Sequence, residues 1–133
     1  MAYQASIDAI NKSGLKKDEI GAIFLATCTP ERKFPSTAVL LQNRLNIKNA
    51  FSVDLNAACT GFVYALDIAK KYIESKQVKY ALVVGTEKIT SLLDWTDRNT
   101  CVLFGDGAGA MIVGSSDTAG ILSSTIGSDG SYK

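Results

Sequence analysis

The chain has no histidine among its 133 residues, so no cysteine–histidine pair can form within it, and a catalytic cysteine here would need partners from elsewhere. It has three cysteines, an odd number at irregular spacing, which resembles neither a disulfide framework nor a zinc site and fits a reducing cytoplasm better. No apolar run approaches the ~20 residues needed to span a bilayer, and the N-terminus lacks a charged-then-apolar signal. The sequence therefore reads as soluble and cytoplasmic, without a membrane partner. A net charge of +1 gives no reason to propose nucleic acid or an acidic surface as partner. With 47% apolar residues, the chain is long enough for one domain with a real core.

The segment richest in chemistry is Asp54-Leu55-Asn56-Ala57-Ala58-Cys59-Thr60-Gly61-Phe62. Phe51, Val53 and Leu55 alternate with Ser52 and Asp54, the period-2 pattern of a half-buried strand. Beyond the cysteine, Phe62, Leu66, Ala69 and Ile73 fall at helical spacing and predict a helix from about Thr60 to Glu74. Cys59 then sits at the helix N-terminus, where unpaired N–H groups and the macrodipole favour an anion such as a thiolate. Ala57, Ala58 and Gly61 leave room for a substrate carbonyl. Two readings stand at this point: an activated nucleophile, or a small apolar filler, since free cysteine is among the most buried residue types.

The rest of the chain alternates helix and strand. A helix over about Ala2–Lys12 should stop at Gly14. Gly21–Ala26 is a short apolar run, as in a strand buried on both faces. Thr29–Pro35 is a loop fixed by two prolines, after which Ser36 caps a helix predicted to bury Val39, Leu40 and Leu45. Tyr80–Val84, ending at Gly85, is a second buried strand. Ala110–Val113 and Ile121–Ile126 supply two more, expected to form an antiparallel hairpin around a turn that includes Asp117 and Gly120. This order implies a layered α/β domain with a largely parallel sheet. Gly105-Asp106-Gly107-Ala108-Gly109-Ala110 satisfies a loose G-x-G-x-x-A pattern, but it leads into a strand where dinucleotide binding requires a helix. We read it as a tight turn packed closely on neighbouring backbone and reject a nucleotide fold. Both ends read as cut: the first helix has no capping residue ahead of it, and the Ser128–Ser131 turn signal is followed only by Tyr132 and Lys133.

The Cys59 segment, Asp94-Trp95-Thr96-Asp97-Arg98-Asn99-Thr100 and Phe104-Gly105-Asp106-Gly107-Ala108-Gly109-Ala110 occur in one order. Phe34-Pro35-Ser36-Thr37-Ala38 and Val83-Val84-Gly85-Thr86-Glu87 accompany them. Together they resemble the β-ketoacyl-acyl carrier protein (ACP) synthase III family, the initiating condensing enzymes of bacterial type II fatty acid synthesis. The likeness runs along essentially the whole chain but covers only part of the family's first half. It implies a thiolase-like fold, α-β-α-β-α when intact, with residues 1–133 as an incomplete N-terminal domain lacking its first strand and everything beyond Gly130.

The resemblance also implies roles. Cys59 matches the nucleophile that takes an acyl group from acyl-CoA. Arg98 matches the arginine that stacks on the CoA adenine, a role suited to a planar guanidinium. Phe34 matches a residue that closes the acyl pocket of a dimer partner, and Cys28 and Ile89 match positions lining that pocket. From the residues alone, Arg98 reads rather as a surface ion-pair partner of Asp94 or Asp97, and Trp95 reads as packing. The family implies no cofactor, with acyl-CoA and malonyl-ACP as substrates, the acyl carrier protein as partner and a homodimer as the assembly. Its decarboxylating step needs a histidine and an asparagine from the second half, which accounts for the missing histidine. Three functions follow: the fatty-acid-initiating synthase, a related starter-condensing enzyme of polyketide or quinolone pathways, and a silent CoA-binding or dimerisation module.

Overall fold

In the computed structural model, which describes residues 1–118 and 120–131, helix α1 spans Ala2–Ser13 and ends at Gly14, whose φ of 70° is left-handed. Glycine adopts that conformation without steric cost and so terminates the helix. Strand β1 (Ile20–Ala26) follows, then α2 (Thr37–Leu45), β2 (Phe51–Leu55), α3 (Gly61–Glu74), β3 (Tyr80–Lys88) and β4 (Asp106–Gly114). The four strands form one sheet in the order β2-β1-β3-β4. β1 pairs in parallel with β2 and β3, whereas β4 lies antiparallel to β3. The sheet is therefore mixed and mainly parallel, as the alternation of elements implies.

Both faces of β1 are buried because helices cover both sides. On one face Ile23, Leu25, Leu82 and Val84 meet Ile10 of α1 and Ala38, Leu41 and Leu45 of α2. On the other, Ala22, Phe24, Ala81 and Val83 meet Ala65, Ala69 and Ile73 of α3. Each fully buried large apolar side chain contributes about 1.5–3 kcal/mol, so these two clusters hold the three layers together. Phe51 and Val53 remain partly exposed on the edge strand β2. Phe51 is not idle: its ring lies 5.1 Å from that of Tyr72 and 5.6 Å from that of Phe24. This aromatic trio fastens the start of β2 to the far end of α3.

Several expectations are corrected. In α2 the buried residues are Thr37, Ala38, Leu41 and Leu45, while Val39 is exposed and Leu40 only partly covered. The carboxylate of Asp54 on β2 accepts from the backbone N–H of Thr37 at 2.8 Å and of Ala38 at 2.7 Å. It therefore presses that side of the first turn against the sheet, while Ser36 caps Val39 as its residue type suggests. The hairpin of Ala110–Val113 with Ile121–Ile126 does not form. β4 pairs along its whole length with β3, and the 121–126 run has no strand partner. It is held instead against α3, where Ser124 Oγ donates to Asp67 Oδ1, and Tyr64 Oη donates to the Gly127 carbonyl at 2.7 Å. The glycine run is likewise not a turn: Asp106–Ala110 is the first half of β4, and a Cβ on Gly105, Gly107 or Gly109 would meet nothing within 4 Å. No helix follows it, in keeping with the rejection of a nucleotide fold. Tyr132 and Lys133 lie outside the described residues.

Candidate active site

The three parallel strands all point their carboxyl ends the same way, and the chemistry-bearing residues gather there. This is where open α/β sheets ordinarily bind ligands. Cys59 follows β2, Cys28 follows β1, and Glu87 closes β3. The ladder continues past Ala26, with the Thr27 N–H donating to the Leu55 carbonyl at 3.0 Å, so the loops after β1 and β2 leave the sheet side by side.

Cys59 lies in a one-turn 3-10 segment, Ala58–Thr60, that leads directly into α3, and it is exposed. The chain reverses here through an alanine: Ala58 has φ 45°, in the left-handed region that residues with a Cβ occupy only at a cost. Close packing forces the start of α3 onto β1. A Cβ on Gly61 would come within 3.1 Å of the Ala26 Cβ, and one on Gly85 within 3.2 Å of the Phe62 ring. These two glycines let the helix N-terminus and its cysteine approach the strand ends. The filler reading of Cys59 fails on its exposure.

The loop after β1 is held differently. Glu87 accepts from the Cys28 backbone N–H at 2.8 Å and from Thr29 Oγ1 at 2.7 Å. Thr29 Oγ1 in turn accepts from the Lys88 N–H at 2.8 Å. Burial pushes the half-buried Cys28 thiol up from its usual range, and the Glu87 hydrogen bond and charge push it the same way, with a smaller contribution from Cys59. A cavity of about 600 Å³ opens beside this cluster, lined in part by Thr27, Thr29, Glu87 and Lys88. A larger cleft of about 1080 Å³ lies between α3 and β4, and none of Cys59, Cys28, Ile89, Arg98 or Phe34 lines it.

Ile89 is half-buried in a short turn after β3. That turn is anchored by Asp106, which accepts from the Thr90 N–H at 2.9 Å and from Thr90 Oγ1 at 2.8 Å. The backbone bond from Thr90, helped by its hydroxyl, holds the Asp106 carboxyl below the usual carboxylate range. Arg98 is exposed in a turn. Asp94 and Asp97, its suggested ion-pair partners, instead accept from Thr96 and from Asn99 and Thr100. Among the described residues the ion pairs are Lys70–Glu74 and Lys71–Asp67, so the surface ion-pair reading of Arg98 fails. Phe34 is 83% exposed and Trp95 64% exposed. Phe34 therefore does not line a pocket of its own chain, and Trp95 is not the packing residue its type suggests.

The structure thus brings Cys59 and Cys28 together, places Ile89 close behind Glu87, and leaves Arg98 and Phe34 facing solvent. Sequence reasoning missed the part played by Glu87. Its one signal was a carboxylate three residues past a buried apolar run, next to the last residue of a parallel strand. No group of three or more His, Cys, Asp or Glu side chains that could hold a metal occurs among the described residues, and no helix there is long and apolar enough to cross a membrane.

Comparison with known proteins identifies the family. Residues 53–130 match the family profile of 3-oxoacyl-[acyl-carrier-protein (ACP)] synthase III. The chain is 51% identical over 134 residues to the β-ketoacyl-[acyl-carrier-protein] synthase III of Ehrlichia canis, covering 99% of this chain and 42% of that protein. It is 53% identical over 133 residues to that of Xanthomonas oryzae, covering 100% and 41%. It superposes on the crystal structure of 3-oxoacyl-[acyl-carrier-protein] synthase III from Aquifex aeolicus with a TM-score of 0.86 at 50% identity, covering 88% of this chain and 38% of that one. The priming β-ketosynthase of the R1128 polyketide pathway gives a TM-score of 0.87 at 41% identity, covering 90% and 36%. The chain spans about two-fifths of the length of the curated relatives it matches. A thiolase-like α/β sheet with an exposed cysteine at the carboxyl end of a parallel strand accords with these likenesses, and the chain belongs to the 3-oxoacyl-ACP synthase III family.

Proposed function

We propose that Cys59 takes an acyl group from acyl-CoA as a thioester, and that the whole protein condenses it with malonyl-ACP to give 3-oxoacyl-ACP. The observation that carries this reading is the exposed Cys59 where β2 turns into α3, among small residues and at the positive end of a helix dipole. In the first half-reaction the thiolate sulfur attacks the thioester carbonyl carbon. A new carbon–sulfur bond forms at Cys59, the bond to CoA breaks, and CoA leaves as a thiolate that takes up a proton. One activated cysteine suffices for this exchange. Decarboxylation of malonyl-ACP and attack by the resulting carbanion call for groups outside these 133 residues, which contain no histidine.

Arg98, exposed and without an ionic partner among the described residues, is assigned to the adenine of CoA. Phe34, 83% exposed, is assigned to the acyl pocket of a second copy, with Cys28 and Ile89 on the walls of the pocket in its own chain. The unpaired edge of β2 and the exposed Phe51 and Val53 beside it suit a homodimer. Three free cysteines suit a reducing cytoplasm.

The likeness to the R1128 priming ketosynthase supports a second reading, polyketide priming, which shares the same loading step. Incubation of the full-length protein with acetyl-, branched- and longer acyl-CoA, read by mass spectrometry, tests both. A thioester mass gain on Cys59 that Cys59→Ala abolishes is the expected result, and the preferred primer separates the two readings. Absence of any acyl adduct on the intact protein would sink both and leave the silent module.

A further inference from the structure

Cys28 is a second thiol at the strand ends that carry Cys59, and lining a pocket does not account for its surroundings. Its sulfur lies 3.3 Å from Glu87 Oε2. An ionised carboxylate only accepts, so the thiol is the donor. The Cys28 N–H donates to Glu87 Oε1 at 2.8 Å, while Thr29 and Thr27 hydroxyls donate to Oε2 at 2.7 Å and 3.4 Å. One carboxylate from the end of β3 thus gathers three consecutive residues of the neighbouring loop. Cys59 stands next to them: Ala26 and Gly61, two residues from Cys28 and Cys59 respectively, are in close contact, and Ala26 is in register with Leu55.

We infer that Glu87 is a positioning residue that keeps Cys28 as a hydrogen-bonded thiol and so confines acylation to Cys59. A thiolate, not a thiol, is the nucleophile. To ionise, Cys28 must give up its bond to Glu87 and place a second negative charge beside the first. The titratable groups that reach it are Glu87 from β3 and Cys59 from the turn before α3, and both act, along with burial, to keep its proton in place. Released from Glu87, the Cys28 thiolate would attack the acyl carbonyl on Cys59. The Cys28–acyl bond forms, the Cys59–acyl bond breaks, and Cys59 leaves as a thiolate that recovers the proton Cys28 lost. The acyl group would then sit on a sulfur at a strand end rather than at a helix N-terminus. The confinement rests on the proposed role of Cys59, while the hydrogen-bond argument does not.

The test uses the full-length protein as wild type, Glu87→Gln and Glu87→Ala. Alkylation by iodoacetamide is followed across a pH series, with Cys28 and Cys59 peptides quantified separately by mass spectrometry. Both variants should alkylate Cys28 about tenfold faster near pH 8 and lower its pH midpoint by about one unit. A purely structural role would not shift that midpoint. If Glu87→Ala loses its circular dichroism signal, the nearly isosteric Glu87→Gln decides. An unchanged Cys28 midpoint in a folded variant overturns the inference. In a second arm, acyl-CoA should label Cys59 alone in wild type and both cysteines in the variants. Label confined to Cys59 in a variant with a shifted midpoint refutes the confinement. No label on either cysteine in wild type refutes the role of Cys59, while the alkylation midpoint still decides whether Glu87 restrains Cys28.

Discussion

Three loops meet at the site, and they are held by two opposite means. The turn that carries Cys59 is shaped by backbone and contact: Ala58 in a left-handed conformation and Gly61 pressed against Ala26. The loop of Thr27–Thr29 and the turn of Ile89–Ser91 are instead tied by carboxylates, Glu87 to the first and Asp106 to the second. The difference teaches that two neighbouring loops can be fixed by different means, one by shape and one by charge. A carboxylate clamp brings negative charge to whatever it holds, whereas steric positioning brings no charge of its own. At Cys28 the charge of Glu87 adds to burial in raising the thiol above its usual range.

The contrast can be broken most severely at Gly61. Gly61→Val places methyl groups where even a Cβ would lie 3.1 Å from Ala26, and should cost about 2–3 kcal/mol by overpacking. Chemical denaturation reads the loss, and acyl loading should fall with it; an unchanged midpoint would mean that the approach of helix to strand is not tight. A gentler challenge is acid. Asp106 is held below the usual carboxylate range by Thr90, so its contribution is complete above the ordinary carboxylate value and is lost as pH falls through its lowered folded-state value. Thermal unfolding recorded from neutral pH down to about pH 3 should show a steeper acid loss in wild type than in Asp106→Asn. Equal slopes would remove Asp106 from the clamp. The smallest effect belongs to Ala58→Gly, which relieves the left-handed alanine and should raise stability by about 0.5–1 kcal/mol while loosening Cys59 and slowing its loading. A stability gain with unchanged loading rate would show that the strain at Ala58 does not serve the nucleophile.

Much of this arrangement is written locally in the sequence. Gly14 ends α1, Ser36 caps α2, Gly21–Ala26 reads as a buried strand, and Cys59 falls where a period-2 pattern becomes helical, all because the signals lie within a few residues of their effect. The failures share a non-local cause. Asp106–Ala110 is rich in glycine, a poor strand former, and becomes strand through pairing with Val84–Lys88, most of which lies beyond the Tyr80–Val84 run that reads as strand. Ile121–Ile126 has strand composition but pairs with neither edge strand, and side-chain bonds from Ser124 to Asp67 and from Tyr64 to the following Gly127 hold it along α3 instead. The rotation of α2 follows from Asp54, seventeen positions downstream of Thr37. Glu87 escapes notice for the same reason: its partners Thr27, Cys28 and Thr29 are about sixty residues away in sequence.

The aromatic trio has a mechanical side. Phe51 opens β2 and Tyr72 nearly closes α3, so the contact of their rings at 5.1 Å joins the feet of a strand–turn–helix arch whose crown is Cys59. With the feet stapled together and the start of α3 seated on β1 where Gly61 meets Ala26, the arch is braced at its base and along its helical limb. The ring contact thus ties the two limbs together at the end opposite the cysteine.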